Sequence, residues 1–219
     1  MKWGWMWKIP VQGRYGCGYV YDSDRVSDED AKLELDNEIG FEVEVPRLID
    51  FEPGRLEKIY EKNCLAIGLS AGFIEPLEAT SIWTSLMMLT SWVENPTAIT
   101  HNDQTARDAV NKRHCDMNDN TLGFVYFHYI TKRDDTRFWS DFTKDNKIPD
   151  SLEKLIEEAK HTIPSYDMFS DIGLDFAAKS FLACGNGQRF FNPEHARKLF
   201  NSHYQGRRKE EYDLLKYQY

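Results

Sequence analysis

Indoles alternate with small and apolar residues at the start of the chain. Trp3, Trp5 and Trp7 are spaced by Gly4 and Met6, a period of two that places three indoles on one face of a β-strand. Pro10 is expected to limit the ladder of this strand. Gly13, Gly16 and Gly18 mark a turn or a close backbone approach, and Tyr19-Val20-Tyr21 reads as a second strand, so the segment predicts a hairpin. Ser27 followed by Asp28-Glu29-Asp30 fits a capping box and opens a helix to about Asn37, closed by Gly40. Phe41-Glu42-Val43-Glu44-Val45 alternates as a half-buried strand. After Pro46 the runs Arg47 to Phe51 and Leu56 to Tyr60, joined by the turn Glu52-Pro53-Gly54-Arg55, complete a β-meander. Cys64 to Leu69 is a continuous apolar run of the kind found in a strand buried on both faces.

Beyond this point the pattern becomes helical. Pro76 initiates a helix, and Ile82 to Trp92 is apolar with helical composition. Asn102 to Thr131 predicts a helix of roughly 45 Å at ~1.5 Å per residue, with Gly123 and Asn118-Asp119-Asn120 as its candidate bends. Ser151 caps a further helix to about Lys160, Ile172 to Leu182 forms a short one, and Asn192-Pro193-Glu194 starts one to about Asn201. Strands in the first 70 residues and helices afterwards define an α+β class in which helices cover part of a sheet.

Composition narrows the partners. The 219 residues are 41% apolar, 14% aromatic and 29% charged, enough for a globular core. Thirty-six acidic side chains against 27 basic ones give a net charge of −9, which argues against nucleic acid or an anionic membrane as partner. No apolar run approaches the ~20 residues of a membrane helix and no signal-peptide pattern opens the chain, so the expected compartment is the cytoplasm. Cys17, Cys64, Cys115 and Cys184 form no C-x-x-C pair and are expected to be reduced, mostly buried thiols.

Several chemistries fail on context. Gly13-Arg14-Tyr15-Gly16-Cys17-Gly18 has its glycines in reverse order for a dinucleotide turn and runs into a strand, while Gly185-Asn186-Gly187 lacks a third glycine and follows a helix. His114 and His128, 14 helical residues apart, would be separated by roughly 21 Å, too far to share an ion; no metal is expected. No G-x-S-x-G, H-E-x-x-H or P-loop is present. What remains is Asn63 to Ile82, a buried strand ending in small residues before a helix start whose free N–H groups suit an anion or the polar edge of a cofactor. Glu78 lies in the first turn of that helix, where a carboxylate also complements the helix dipole without any chemistry. His128 to Trp139 is a second dense stretch of charge and aromatics, readable as a salt-bridged cap over a core aromatic pair.

At these residues the chain resembles the flavin-dependent halogenases of the tryptophan halogenase family. Trp5-Met6-Trp7-Lys8-Ile9-Pro10 meets the family's W-x-W-x-I-P. Gly72-Phe73-Ile74-Glu75-Pro76-Leu77-Glu78-Ala79-Thr80-Ser81 is similar to its G-F-[VI]-E-P-L-E-[SA]-T-[GS], and His128 to Trp139 to its H-Y-x-x-x-x-R-x-D-[ST]-x-F-W. The resemblance implies a partial FAD-dependent monooxygenase-like (flavin halogenase) fold and the following chemistry. Reduced FAD, supplied by a separate flavin reductase, reacts with O2; halide is oxidised to hypohalous acid, which is relayed to a lysine beside an electron-rich, indole- or phenol-like small aromatic substrate. By the same resemblance Glu78 is the catalytic glutamate that orients the oxidant or stabilises the cationic arenium. Thr80 and Ser81 bind halide, Leu69 and Ile82 contact the flavin, and Trp5 and Trp7 form the barrier between flavin and substrate.

Two substitutions depart from the commonest family pattern: Ala79 stands for serine and Ser81 for glycine. Asn201 to Tyr219 gives no match to the residues that hold free tryptophan's amino acid moiety. The family's strand, G-x-G-x-x-G and helix unit and its early relay lysine have no counterpart, since Lys2 and Lys8 do not occupy that position. The expectation is a C-terminal segment, inactive alone, that needs a missing N-terminal FAD-binding half. Its expected parts are 1–62 as a remnant of a substrate-domain sheet, 63–100 as a returning strand and helix of the flavin domain with the halide and flavin loop, and 101–219 as a helical region. A non-halogenating flavin monooxygenase or oxidoreductase and a non-catalytic interaction remnant remain as alternatives.

Overall fold

A computed structural model describes residues 1–131, 133–144, 147–150, 152, 153 and 157. The described chain divides into two compact units: Met1–Phe51 with Tyr129–Lys147, and Glu52–His128 with the described part of Ile148–Tyr219.

The first unit opens with the expected hairpin. Strands β1 (Gly4–Val11) and β2 (Arg14–Tyr21) pair antiparallel from Gly4↔Tyr21 to Val11↔Arg14. Gly13, at φ 81°, supplies the left-handed residue that a two-residue hairpin loop needs. Pro10 does not limit the ladder, which continues through Pro10↔Tyr15. In a two-stranded ribbon both strands are edges, so a missing N–H can face outward. Helix α1 (Asp28–Ile39) follows, with the Ser27 Oγ accepting from the Asp30 N–H at 3.1 Å and Gly40 ending it at φ 91°. Its Ala31 and Leu35 are buried. The unit is completed by Tyr129, Ile130 and helix α5 (Arg137–Lys144), whose Phe138 and Trp139 are buried.

The strand expected over Phe41–Val45 and its successor over Arg47–Phe51 are absent: 42–53 forms no regular element. Phe41, Val45, Leu48 and Ile49 are exposed, and the Val43 N–H is taken by the Asp36 carboxylate at 2.8 Å rather than by a neighbouring strand. Alternation without a pairing partner does not make a strand. The meander is thereby corrected to two-residue bridges in the second unit. There β3 (Gly54–Arg55) pairs with β6 (Gly72–Phe73), and β4 (Tyr60–Glu61) with β5 (Cys64–Leu65), each antiparallel. The apolar run expected to be a doubly buried strand keeps strand geometry only at Cys64–Leu65. Gly68, at φ 66°, turns the chain into a 3-10 turn over Gly68–Ser70.

Helices α2 (Thr80–Glu94), α3 (Pro96–Thr100) and α4 (Gln104–Tyr129) follow, so strands precede helices as an α+β class requires, with α1 the exception. Helix α4 runs unbroken through Gly123 and Asn118-Asp119-Asn120. Asp119 turns its carboxylate to Arg55, and Asn118 Nδ2 folds back along the helix onto the His114 carbonyl, so both side chains are engaged without opening a turn. The core of the unit contains the α4 stripe of Ala106, Val110, Met117 and Phe124, together with buried Ile59, Tyr60 and Ala71. Of the helices expected after Ser151, only Leu152, Glu153 and Glu157 of the first are described, and they are helical. The helices at 172–182 and 192–201, Cys184 and Gly185-Asn186-Gly187 lie outside the described residues. No described helix is long and apolar enough to cross a membrane. The three described thiols are free but not mostly buried as expected: Cys17 and Cys115 are half-buried and Cys64 is exposed, because the latter two lie at a short ribbon's end and on a helix flank.

Candidate functional site

In the second unit the expected halide and flavin residues are strung along one path from β5 to α2. Within the first 3-10 turn, Ser70 Oγ donates to the Ile67 carbonyl at 2.8 Å and accepts from its N–H, and the Ala71 N–H closes on the Gly68 carbonyl. Leu69 is thereby held at the crest of the turn with 72% of its surface exposed. The path then enters β6. A Cβ at Gly72 would lie 3.0–3.2 Å from Arg55 and the Gly54 carbonyl, so a side chain here would push the two short strands apart by a few tenths of an ångström. Arg55 fastens the pair onto α4: its guanidinium reaches both Asp119 oxygens at 2.8 and 2.9 Å and Cys115 Sγ at 3.2 Å.

Pro76 leads into a second 3-10 turn, Leu77–Ala79, with Glu78 at its middle position. Ala79 then takes a left-handed conformation, φ 52° and ψ 30°, before α2 begins at Thr80. The helix expected to start at Pro76 is therefore two pieces, and the break falls between Glu78 and Thr80. A left-handed alanine costs about 1 kcal/mol, which a turn retains only when its neighbours fix it. Thr80 is buried and donates its N–H to the Leu77 carbonyl; Ser81 is half-buried, and its carbonyl accepts from Thr84 Oγ1 at 3.1 Å and Ser85 Oγ at 2.6 Å. Ile82 is 67% exposed.

The first and third sequence signatures meet in the first unit. Trp5 and Trp7 share a face of β1 with ring centroids 5.8 Å apart, tilted by 52°. Trp5 Nε1 donates to the Tyr129 hydroxyl at 2.9 Å, and Tyr129 stacks on Trp139 at 6.1 Å between centroids and lies 4.7 Å from the Phe142 ring. Trp139 Nε1 donates to the Met1 carbonyl, Thr136 Oγ1 to the Lys2 carbonyl, and the Arg133 guanidinium, paired with Asp135, lies 4.6 Å over the Trp139 ring. The stretch thus has the geometry of a salt-bridged cap over buried aromatics. Tyr129 as the anchor of Trp5 was not singled out from sequence. Nor was Gly18, which lies opposite Trp7 and whose absent Cβ would fall 2.1–2.8 Å from the indole ring. The two-residue turn at Gly13 fixes that register and is the signal that exposes it.

Electrostatics set two further groups. His114, buried on α4, is pushed below the ordinary imidazole range by burial, with the Arg55 charge adding to the effect. Tyr21, whose hydroxyl donates to Asp28, is raised to about 12 by burial and by that bond. Among the described residues no group of three or more His, Cys, Asp or Glu side chains is placed to hold a metal ion.

Comparison with known proteins identifies the family of the chain. Residues 1–204 match the family described as tryptophan halogenase, and the chain belongs to that family. It is 39% identical over 169 residues to the tryptophan 6-halogenase SttH of Streptomyces toxytricini, covering 74% of this chain and 31% of that protein. To the tryptophan 7-halogenase RebH of Lentzea aerocolonigenes it is 35% identical over 161 residues, covering 72% and 30%. The crystal structure of SttH superposes with a TM-score of 0.73 at 32% identity, over 92% of this chain and 42% of that one. The chain thus spans less than a third of the length of the curated relatives it matches.

Proposed function

We propose that this chain is a segment of a flavin-dependent halogenase that acts on an electron-rich aromatic, indole- or phenol-like, with reduced FAD, O2 and halide. The observation that carries the reading is the turn at Glu75 to Ser81. It sets the family signature across a 3-10 turn, a left-handed Ala79 and a helix start, in a chain matched to tryptophan halogenases over 1–204.

The described residues fit one part of FAD. Leu69 on its exposed turn and Ile82 in the first turn of α2 offer apolar side chains and main chain to a flat ring. Among the described residues no glycine-rich turn runs from a strand into a helix to cradle the diphosphate. Bound with O2, reduced FAD would supply the oxidising power that turns halide into an electrophile. Thr80 and Ser81 hold the halide at the start of α2, where the helix dipole adds positive potential. The Thr80 N–H, already donated to Leu77, is shared with the anion or yielded to it. Glu78 supplies the negative charge for the cationic intermediate. Trp5, bonded to the Tyr129 hydroxyl, and Trp7 beside it serve as the barrier between flavin and substrate. The diphosphate cradle and relay lysine come from the remainder of the fold, so the isolated chain binds FAD weakly and does not halogenate.

The test combines this chain with the part of the Streptomyces toxytricini 6-halogenase that it does not cover, adding FAD, a flavin reductase, bromide or chloride, and tryptophan, indole or phenol. Mass spectra carrying the halogen isotope pattern are expected from the mixture and not from the chain alone. Flavin turnover that yields oxygenated, halogen-free product whatever halide is added would make the chain part of a monooxygenase instead.

A further inference from the structure

Helix α2 is amphipathic in the opposite sense to a helix that packs its apolar side on its own chain. Its buried residues are Thr80, Thr84, Met88 and Ser91, three of them hydroxyl side chains. Ile82, Leu86, Leu89 and Val93 are 67, 55, 37 and 64% exposed. At about 100° per residue the two sets lie roughly half a turn apart, so the apolar stripe faces directly away from the packed one. On the inward side Thr84 Oγ1 bonds the Ser81 carbonyl, while Ser91 Oγ, buried, finds no hydrogen-bond partner among the described residues. From Thr80 to Val93 no residue is charged. Such a continuous, uncharged, exposed stripe marks an interface with another apolar protein surface.

The extent of the superposition bears on which surface that is. This chain accounts for 42% of the Streptomyces toxytricini 6-halogenase chain while 92% of its own residues superpose. In that relative the same segment therefore shares one fold with more than its own length of further polypeptide. We propose that the Ile82, Leu86, Leu89 and Val93 face of α2 docks the remainder of the tryptophan halogenase fold, the portion this chain does not contain. The identity of the occupant rests on the halogenase reading above; the inverted face does not.

The probe is the uncovered part of the Streptomyces toxytricini 6-halogenase, titrated against the whole 219-residue chain and followed by sedimentation. A one-to-one complex is expected, weakened at least tenfold by Leu86→Lys or Val93→Lys. Leu33→Lys, at an exposed apolar position of α1, should leave it unchanged, and all three variants should keep the wild-type melting temperature of the isolated chain. A Leu86→Cys thiol, mapped by mass spectrometry, should be alkylated rapidly in the isolated chain and slowly in the complex. Slow alkylation in the isolated monomer would mean that the chain covers the stripe itself, and would overturn the proposal. So would a homodimer dissolved by Leu86→Lys, a complex indifferent to both lysines, or a wild-type chain that ignores the probe. Product assays on the same mixtures separate the two readings. A complex that responds to the lysines but halogenates nothing leaves the docking face standing and removes the function; equal halogenation with both lysine variants does the reverse.

Discussion

The Trp-bearing hairpin and helix α2 are both rich in large apolar side chains, and the chain treats them in opposite ways. In the first unit each indole of the signature meets a partner of its own: Trp5 has the Tyr129 hydroxyl and Trp7 lies across Gly18, while Trp139 in turn bonds the Met1 carbonyl. In the second unit Ile82, Leu86, Leu89 and Val93 face solvent while threonine and serine face inward. The first arrangement finds its partners among the described residues, and the second leaves its apolar side exposed. A family signature in sequence does not distinguish these cases, because both preserve the same residue types; only the direction of burial does.

Substitutions that act on one side of this contrast and spare the other test it. The largest effect on stability is expected from Phe138→Ala, which empties the aromatic cluster of Tyr129, Trp139 and Phe142 and should cost about 3–4 kcal/mol by thermal or denaturant unfolding. Next comes Asn111→Ala. The Asn111 amide receives the Tyr60 N–H at 2.8 Å and donates to its carbonyl at 3.0 Å, so the change strands two buried backbone groups and should cost about 2–3 kcal/mol. Gly18→Val should displace the Trp7 indole from β2 at a cost of about 1–2 kcal/mol, with tryptophan emission shifting toward that of a wetted indole. Acidification should act through His114. Its folded pKa is depressed, so the unfolded chain binds more protons below its ordinary value of 6.5, and stability should fall as pH drops through that value toward the folded one. His114→Gln should flatten that part of the stability–pH curve. The smallest effect belongs to Leu86→Ser, within about 0.5 kcal/mol in the isolated chain, since an exposed side chain has little burial to lose. A loss comparable to that of Phe138→Ala would show the α2 stripe to be packed and would erase the contrast.

Much of the fold was legible in the sequence where local chemistry closes on itself. The hairpin follows from period two and a glycine turn, α1 from Ser27 and Gly40, and α4 from its spacing, each a signal that needs no distant partner. The strands expected at 41–51 and along Cys64–Leu69 failed because a strand needs a neighbour to receive its N–H groups. Asp36 and Gly68 divert the chain before one is met. At the candidate site the Glu78 to Ser81 motif could be read, but the left-handed Ala79 that breaks it could not, since alanine carries no signal for φ above zero. The sense of α2 was equally hidden: periodicity tells which side is apolar and not which side the chain covers.

The two indoles at Trp5 and Trp7 have a further consequence. Chromophores of the same kind held 5.8 Å apart and 52° from parallel mix their excited states, and a fixed tilt gives the pair a handed transition. The hairpin therefore carries its own optical gauge, a paired band of opposite signs in circular dichroism. That band needs no label, reports the spacing of the two rings, and collapses when either indole turns away.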